Sequence, residues 1–316
     1  MAPGETNMEQ QIILITGATT GIGRHAALHL ARQGHRVIAT GRNVAALDDL
    51  KREAVGISLE TLRLDVTDAR SVEQAARAVD TMTEGYGLDV LINNAGYGSA
   101  APLVESPDAE IRGQYETNVF GLLAVTRAFV TKMMDRRSGR IINVGSVGGR
   151  VTLPLLGAYN STKYAVESLS DALRRELRPF GLKVSIIEPG PINTEFSKRS
   201  VQDVARYQDA SSRYAKVFER ADEIKRRTDA MSSGPGVVVR AIEKAVTSSR
   251  PKARYVAPFS SHIMLAFMSF MPTALLDWMM TAMTGLTSAN VGGARPARPS
   301  VRPSRLSPVT QVEARA

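Results

Sequence analysis

The stretch Thr16-Gly17-Ala18-Thr19-Thr20-Gly21-Ile22-Gly23 decides the fold, and it follows the apolar run Ile12-Ile13-Leu14-Ile15. A short continuous apolar run is typical of a strand buried on both faces, and a helical pattern then extends from Ile22 to about Gln33. Glycine allows the backbone to turn tightly and to approach a ligand closely. The free N–H groups at the start of a helix attract anions. A tight turn without a ligand is the alternative, but strand, glycines and helix together favour a nucleotide phosphate site.

Outward from this turn, strand patterns alternate with helical patterns along the chain. Further strands are predicted at 36–40, 59–64, 90–92, 141–144, 184–187 and 255–256, and further helices near 44–53, 71–84, 108–134, 158–178 and 237–246. Such alternation is typical of right-handed crossovers between parallel strands. The sequence therefore predicts an α/β fold, a Rossmann-type doubly wound parallel sheet of about seven strands flanked by helices, with a C-terminal helical extension.

The composition of the 316 residues excludes several classes of protein. Hydrophobic residues make up 43% and charged residues 22%, which excludes collagen-like, coiled-coil and wholly disordered chains. Cysteine is absent, so disulfide scaffolds, cysteine nucleophiles and thiolate metal sites are excluded as well. The four histidines have no metal-ligand spacing, and we expect no metal site.

The net charge of +9 is unevenly distributed. Residues 287–316 contain five arginines and one glutamate, with four prolines and few large apolar residues, which predicts a disordered basic tail. Because nearly half of the excess charge lies in this tail, we expect no nucleic-acid partner. Residues 1–11 are polar and lack an apolar run, which predicts a cytoplasmic protein without a targeting signal and leaves membrane association open.

Five further motifs follow the glycine turn in a fixed order. They are Asn93-Asn94-Ala95-Gly96, Asn118, Ser146, Tyr159-Asn160-Ser161-Thr162-Lys163 and Pro189-Gly190. Together with the turn, they resemble the short-chain dehydrogenase/reductases, whose glycine motif is T-G-x-x-x-G-x-G. The resemblance is strong over residues 11–195 and looser to about residue 257. It is closest to NADP-preferring members with a C-terminal extension, which are similar to steroid and retinol dehydrogenases.

Tyr159 and Lys163 are four residues apart, so they lie on one face of a helix. A lysine ammonium near a phenol is expected to lower the phenol pKa from its ordinary value of about 10. Ser146 follows a predicted strand at the edge of the sheet where α/β proteins bind ligands. The alternatives are a solvated helix face for Tyr159 and Lys163, and a helix-bending polar residue for Asn118.

The resemblance implies a catalytic tetrad of Asn118, Ser146, Tyr159 and Lys163. In this interpretation Tyr159 exchanges a proton with the substrate oxygen and Ser146 holds that oxygen. Lys163 also binds the ribose hydroxyls next to the nicotinamide, and Asn118 anchors a water molecule that relays protons.

The segment Thr40-Gly41-Arg42 indicates which nicotinamide cofactor is bound. An NAD-preferring site usually has an acidic residue after the second strand, and Gly41 occupies that position. Arg42 and Arg24 are cations suited to the extra 2′-phosphate of NADP(H). We therefore expect NADP(H) rather than NAD(H).

The resemblance implies further cofactor contacts. Asp65 and Val66 are expected at the adenine, although Asp65 alternatively caps the segment before Thr67. The remaining contacts are Gly17, Thr19, Gly21, Ile22 and Gly23 in the turn, Asn93, Ala95 and Gly96 near the adenosine ribose, Tyr159 and Lys163, and Pro189, Gly190, Ile192 and Thr194, the last at the carboxamide.

The predicted organisation has four parts. They are an N-terminal tail (1–10), the nucleotide-binding domain (11–257) with a substrate loop at 191–233, an apolar helical extension (258–286) and the basic tail (287–316). The 22 residues between Arg254 and Asp277 carry no formal charge, but Pro258 and Pro272 interrupt them, which disfavours a membrane span. Three interpretations of the extension stay open: a core or subunit interface, a lid over a hydrophobic pocket, and a peripheral membrane patch.

These features together predict an NADP(H)-dependent oxidoreductase that acts on a secondary alcohol or ketone. The length and the methionine-rich extension favour a bulky hydrophobic substrate such as a steroid, a retinoid or a lipid. The alternatives are an enzyme resembling 3-oxoacyl-carrier-protein reductases and a non-catalytic protein that senses NADP. A homodimer or homotetramer is expected.

Overall fold

The computed structural model describes residues 10–195, 207–209, 212–220, 223, 226, 229–230 and 232–292. Its centre is a seven-stranded sheet with the strand order β3-β2-β1-β4-β5-β6-β7, in which all neighbours are parallel. The strands are β1 Ile12–Ile15, β2 Arg36–Gly41, β3 Leu59–Arg63, β4 Val90–Asn93, β5 Arg140–Val144, β6 Lys183–Pro189 and β7 Arg254–Ala257. The predicted parallel α/β fold is confirmed.

Helices cover both faces of this sheet. Within the described residues they are α1 Gly21–Arg32, α2 Val44–Glu53, α3 Ala69–Met82, α4 Asp108–Tyr115, α5 Leu122–Asp135, α6 Gly157–Glu176, α7 Ala215–Phe218, α8 Gly236–Thr247, α9 Phe259–Ser269 and α10 Thr273–Thr284. The single helix predicted near 108–134 is wrong in one respect, because the π-helical turn Glu116–Gly121 separates α4 from α5.

Two hydrophobic cores lie on opposite sides of the sheet. Ile13 and Ile15 of β1 belong to the core formed with α1 and α8, whereas Leu14 belongs to the core formed with α3 and α5. Side chains alternate between the faces of a strand, so a strand covered on both sides is apolar throughout. This explains why β1 is a continuous apolar run.

The strand order reverses between β1 and β4. Loops that leave the carboxyl ends of two such strands diverge to opposite faces of the sheet and leave a crevice between them. The glycine turn follows β1, and Asn94 follows β4. Two of the sequence motifs therefore border the same crevice.

The extension forms the two helices α9 and α10, which are separated by Phe270, Met271 and Pro272. Among the described residues, no helix is long and apolar enough to cross a membrane. Of the predicted tails 1–10 and 287–316, residues 1–9 and 293–316 lie outside the described residues, as does much of the substrate loop.

Candidate active site

The glycine turn has no room for side chains. Gly17 and Gly21 have φ values of +64° and +55°, which are strained for other residues. A side-chain carbon added to Gly17 would lie 2.8 Å from Ala95 Cα, and one added to Gly23 would lie 2.6 Å from the Gly17 carbonyl oxygen. Thr194 packs over the same turn, 3.5 Å from the position that a Cβ on Gly21 would take.

Thr16 and Asn94 hold this turn in place, and sequence reasoning did not identify either as a site residue. The Thr16 hydroxyl accepts hydrogen bonds from the backbone N–H groups of Asn94 and Ala95, at 2.9 and 3.0 Å. In return, the Asn94 amide donates to the carbonyl oxygens of Thr16 (2.9 Å) and Gly17 (3.1 Å). The only sign of this role in the sequence was the pair of adjacent asparagines, Asn93 and Asn94, directly before Ala95.

The start of α1 fits the pyrophosphate of a dinucleotide. Thr20 is the N-cap, but in the described structure no side chain caps the helix, and its first turn has no acidic residue. The first-turn N–H groups have no partners inside the helix, so an anion can bind them. The residues present therefore fit the diphosphate of a nicotinamide dinucleotide.

The region that would meet the 2′-phosphate contains one exposed cation and one paired cation. Arg42 is exposed directly after β2. Arg24 instead forms an ion pair with Glu53, at 2.5 Å. A side-chain carbon on Gly41 would lie 2.6 Å from Thr19 Cγ2, so an acidic residue could enter this position only by displacing Thr19.

Asp65 forms the tight turn that was the alternative to adenine binding. Its Oδ1 accepts hydrogen bonds from the backbone N–H (3.0 Å) and hydroxyl (2.7 Å) of Thr67. Burial raises the pKa of Asp65, but the bonds from Thr67 and the charges of Arg42 and Arg63 outweigh it and hold the pKa below its usual value. The adenine contact of Asp65 and of the buried Val66 stays a prediction.

Ser146 and Tyr159 form the centre of the site. Ser146 follows β5 and accepts a hydrogen bond from the Gly148 N–H at 3.0 Å. Its hydroxyl also hydrogen bonds to the phenol of Tyr159, near the start of α6. Burial raises the pKa of Tyr159 to about 12, and the bond from Ser146 opposes that shift. The predicted lowering of this pKa is therefore wrong, because removal of the phenol from water outweighs stabilisation of the phenolate.

Lys163 lies one helical turn from Tyr159, as the spacing predicted. It is buried, and its Nζ donates a hydrogen bond to the Val144 carbonyl oxygen at 2.9 Å. The same Nζ is 5.8 Å from the centre of the Tyr159 ring. Burial lowers the pKa of Lys163 to about 8, and the negative charge of Glu167 opposes that shift.

Asn118 lies in the π-helical turn and faces the other tetrad residues. Its Oδ1 accepts a hydrogen bond from the Tyr97 N–H (3.0 Å), and its Nδ2 donates to the Tyr97 carbonyl (2.8 Å) and to Thr162 Oγ1 (2.9 Å). A side-chain carbon on Gly96 would lie 3.0 Å from Asn118 Oδ1 and 3.7 Å from Lys163 Nζ. The structure therefore brings Asn118 next to Lys163 and also gives it the helix-distorting role that was the alternative.

Gly98 is a further site residue that sequence reasoning missed. A side-chain carbon there would lie 2.5 Å from Tyr159 Cδ2. The loop after Gly96 thus packs against the tyrosine ring, and no motif in the sequence marks this contact.

Two other residues of the predicted cofactor site, Asn93 and Ile192, have partners within the protein. The Asn93 side chain points into the interior, where its amide donates to Thr126 Oγ1 (3.0 Å) and Asn143 Oδ1 (2.9 Å), so only its backbone is available at the crevice. Ile192 is buried and pairs with Ser233 in an isolated parallel bridge.

The Pro189-Gly190 motif contacts the C-terminal extension. A side-chain carbon on Gly190 would overlap the Ser261 hydroxyl and lie 3.0 Å from Ser261 Cβ. The Gly190 N–H also donates to the Ala257 carbonyl oxygen at 2.8 Å. Helix α9 therefore packs directly on a motif that is expected to border the cofactor.

A partly buried charged cluster lies behind Lys163 on α6. The Arg254 guanidinium contacts the carboxylates of Glu167 and Asp171 at 3.1 Å and that of Glu188 at 3.2 Å. Burial and the neighbouring Glu188 raise the pKa of Glu167 to about 7, although Arg254 lowers it. This cluster joins α6, β6 and β7, and it controls the charge next to Lys163.

The fold and this constellation define a dinucleotide-dependent oxidoreductase of the tyrosine–lysine type. Residues 11–205 match the short chain dehydrogenase family. The chain belongs to this family, and the catalytic roles of Asn118, Ser146, Tyr159 and Lys163 stay a prediction.

Two relatives of known name are similar over most of the chain. A 3-ketodihydrosphingosine reductase from Bacteroides thetaiotaomicron is 34% identical over 272 residues, covering 86% of this chain and 97% of the relative. The 17-beta-hydroxysteroid dehydrogenase type 6 of Rattus norvegicus is 32% identical over 286 residues, covering 87% of this chain and 89% of the relative. The predicted resemblance to steroid dehydrogenase-like members is confirmed.

Solved structures of the family are similar as well. A short-chain dehydrogenase from Streptomyces avermitilis has a TM-score of 0.72 and 28% identity, covering 91% of this chain and all of that one. An actinorhodin polyketide ketoreductase crystallised with NADPH has a TM-score of 0.67 and 26% identity, covering 79% of this chain and 96% of the ketoreductase.

Proposed function

We propose that this protein is an NADP(H)-dependent reductase that converts a ketone on a bulky hydrophobic molecule into a secondary alcohol. The observation that carries the proposal is the hydrogen bond between Ser146 and the Tyr159 phenol, with Lys163 one turn away. A phenol with a pKa of about 12 stays protonated at neutral pH. In that form it can donate a proton to a ketone oxygen, as reduction requires.

In this reaction Ser146 and Tyr159 would both donate hydrogen bonds to the ketone oxygen. When bound, the reduced nicotinamide supplies a hydride to the carbonyl carbon. Tyr159 gives its proton to the oxygen, so the carbonyl becomes a secondary alcohol and the tyrosine becomes a phenolate. The Lys163 ammonium and the Ser146 hydroxyl stabilise that phenolate, and Asn118 fixes the neighbouring loop through Tyr97.

The preference for NADP(H) rests on Arg42 and on the absence of an acidic residue at position 41. Arg42 is exposed where the adenosine ribose would lie, and it can form charge-assisted hydrogen bonds to a 2′-phosphate. Arg24 reaches this phosphate only by leaving Glu53, so Arg42 has the larger role. The related ketoreductase crystallised with NADPH supports the same choice.

The hydrophobic substrate class rests on the surroundings of Tyr159. Gly98 packs on the Tyr159 ring, and the loop that follows contributes Ala101 to a small apolar cluster with Tyr207 and Phe218. The rings of Tyr207 and Phe218 stack with their centres 5.3 Å apart. The names of the sphingoid and steroid relatives agree with a large apolar substrate, since both refer to lipophilic molecules.

A panel of ketones tests this function. Purified protein with NADPH is given long-chain 3-keto amines, ketosteroids, retinals, 3-oxoacyl thioesters and keto sugars, and the loss of NADPH absorbance is followed. We expect turnover with the long-chain or polycyclic ketones and none with the sugars. Turnover confined to carrier-bound thioesters would support the carrier-protein alternative, and NADPH binding without turnover across the panel would support the sensor.

We also propose a cytoplasmic homodimer or homotetramer. Phe120 and Tyr164 are large exposed side chains on the elements that hold Asn118 and Lys163, and an assembly that covers them would stabilise the site. Light scattering combined with size-exclusion chromatography measures the state, and a monomer at all concentrations would contradict this part of the proposal.

A further inference from the structure

Helix α9 has an outward face made of large apolar side chains. Phe259, Ile263, Phe267 and Phe270 are all exposed, and their spacing of four, four and three residues places them along one side of the helix. Phe270, at the end of α9, is 90% exposed. Only Ser261, Leu265 and Met268 of this helix are buried against the body of the protein.

Helix α10 repeats this arrangement. Leu275, Trp278 and Met283 are exposed, and Met280 alone is buried among its residues. Neither helix contains a lysine or arginine, and Asp277 is the one carboxylate that they carry. Single exposed apolar residues are ordinary, whereas seven within residues 259–283 indicate a surface that binds a partner.

The basic segment that follows identifies the partner. Residues 293–316 come directly after the described extension and carry five arginines and one glutamate, a net charge of +4. Apolar insertion combined with a basic segment is the pair of signals that attaches a protein stably to an anionic membrane surface.

We propose that the outward faces of α9 and α10 bind the surface of an anionic lipid bilayer, and that the net positive charge of the sequence after them adds an electrostatic attraction. The apolar side chains enter the boundary between headgroups and acyl chains, and Trp278 lies at that boundary, where its ring is apolar and its N–H can meet water. The helices lie on the bilayer and do not span it, in keeping with their lengths of 11 and 12 residues. This inference does not depend on the reaction proposed above.

The single tryptophan of the chain makes the test direct. Trp278 is 67% exposed, so its emission in water is that of a solvated indole. The full-length protein is mixed with vesicles of phosphatidylcholine alone, or of phosphatidylcholine with about one-third phosphatidylglycerol, and is then floated on a density gradient. We expect co-flotation and a blue-shifted emission with the anionic vesicles, and loss of both at high salt.

Two variants and a matched control separate the two parts of the surface. Phe267→Asp should weaken partitioning at least about tenfold, because a charge replaces an inserted ring. A variant in which Arg295, Arg298, Arg302, Arg305 and Arg315 are all replaced by Gln should weaken it at least about tenfold as well. Val55→Asp changes a residue that is 84% exposed after α2, and it should bind like the unchanged protein.

Each result decides the proposal. Anionic-vesicle binding that Phe267→Asp and the arginine replacements both reduce supports it, provided that all variants unfold cooperatively at the same temperature. Equal binding to both kinds of vesicle, binding that Val55→Asp reduces as much as Phe267→Asp, or self-association without vesicle binding would overturn it.

Discussion

Lys163 and Tyr159 lie on one face of α6, and burial shifts the pKa of each toward the neutral form. The pKa of Lys163 falls to about 8 while that of Tyr159 rises to about 12. Ketone reduction needs a protonated Tyr159 and a charged Lys163. As the pH rises through about 8, Lys163 loses its charge while Tyr159 stays protonated, so kcat/KM for reduction should fall tenfold per pH unit above that value.

Substitution of Glu167 tests whether the titration of Lys163 causes this pH dependence. Its carboxylate raises the pKa of Lys163, so Glu167→Gln should move the falling limb of the pH profile to lower pH. Glu73→Gln, on the surface of α3 beside Arg77, should leave the limb in place. A wild-type profile that is flat from neutral pH to well above 8, or an upward shift in Glu167→Gln, would contradict the assigned role of Lys163.

Arg42 carries the prediction about cofactor choice. Loss of a charge-assisted bond to the 2′-phosphate is worth about 1.5–3 kcal/mol, so Arg42→Ala should lower kcat/KM for NADPH roughly 10- to 100-fold. The value for NADH should change little. Arg52→Ala removes an exposed arginine of α2 that pairs with Asp49, and it serves as the control. Equal loss with both cofactors would show that Arg42 does not recognise the phosphate.

Site residues could be predicted from the sequence where the pattern that marks them lies within a short segment of the chain. Tyr159 and Lys163 are related by one helical turn, and Ser146 follows a recognisable strand. The pKa direction of Tyr159 could not be predicted, because it depends on how deeply the folded chain, including the loop at Gly98, encloses the phenol. The partners of Thr16 and Asn94 were also hidden, since 78 residues separate them in sequence.

At the scale of elements, the packing of α9 on Gly190, directly after β6, is a contact that the sequence did not reveal. Gly190 and Ser261 come together although 71 positions separate them in sequence. Glycine is needed at position 190 because any side chain there would overlap the Ser261 hydroxyl. The extension therefore packs on a motif that is expected to border the cofactor.

A double-mutant cycle tests this packing. Gly190→Ala places a methyl group against Ser261 and should lower the free energy of unfolding by about 1–3 kcal/mol. Ser261→Gly removes the obstructing atoms, after which the nearest neighbour is Pro258 Cδ at 3.4 Å, an ordinary contact. In that background Gly190→Ala should cost at least about 1 kcal/mol less, measured by urea unfolding. Strictly additive effects of the two changes would contradict the contact.

The π-helical turn is the element that periodicity could not predict. Apolar and polar residues repeat through 108–134 as they would in one helix, and the turn at Glu116–Gly121 adds a residue without breaking that pattern. The bonds between Asn118 and Tyr97 accompany this turn, and they come from a distant loop. Long-range contacts of this kind leave no local signal.

At the scale of the whole molecule, alternating strand and helix patterns were sufficient to predict a parallel sheet and the edge where the site forms. The strand order, with β4 beside β1, follows from packing of the crossovers and not from any one segment. The extension also has its place at this scale. One side of α9 packs on the Pro189-Gly190 motif, and the outward sides of α9 and α10 form an exposed apolar surface.

The central claim is that Tyr159, fixed by Ser146 and next to Lys163, transfers the proton during ketone reduction with NADPH. The most direct measurement compares wild type with Tyr159→Phe on the best ketone of the panel, following NADPH absorbance, while NADPH binding is checked by its fluorescence. We predict that the variant binds NADPH normally and that its kcat is at least about 1,000-fold lower, within the range expected for loss of a general acid. Retention of near-wild-type turnover in Tyr159→Phe would contradict the account.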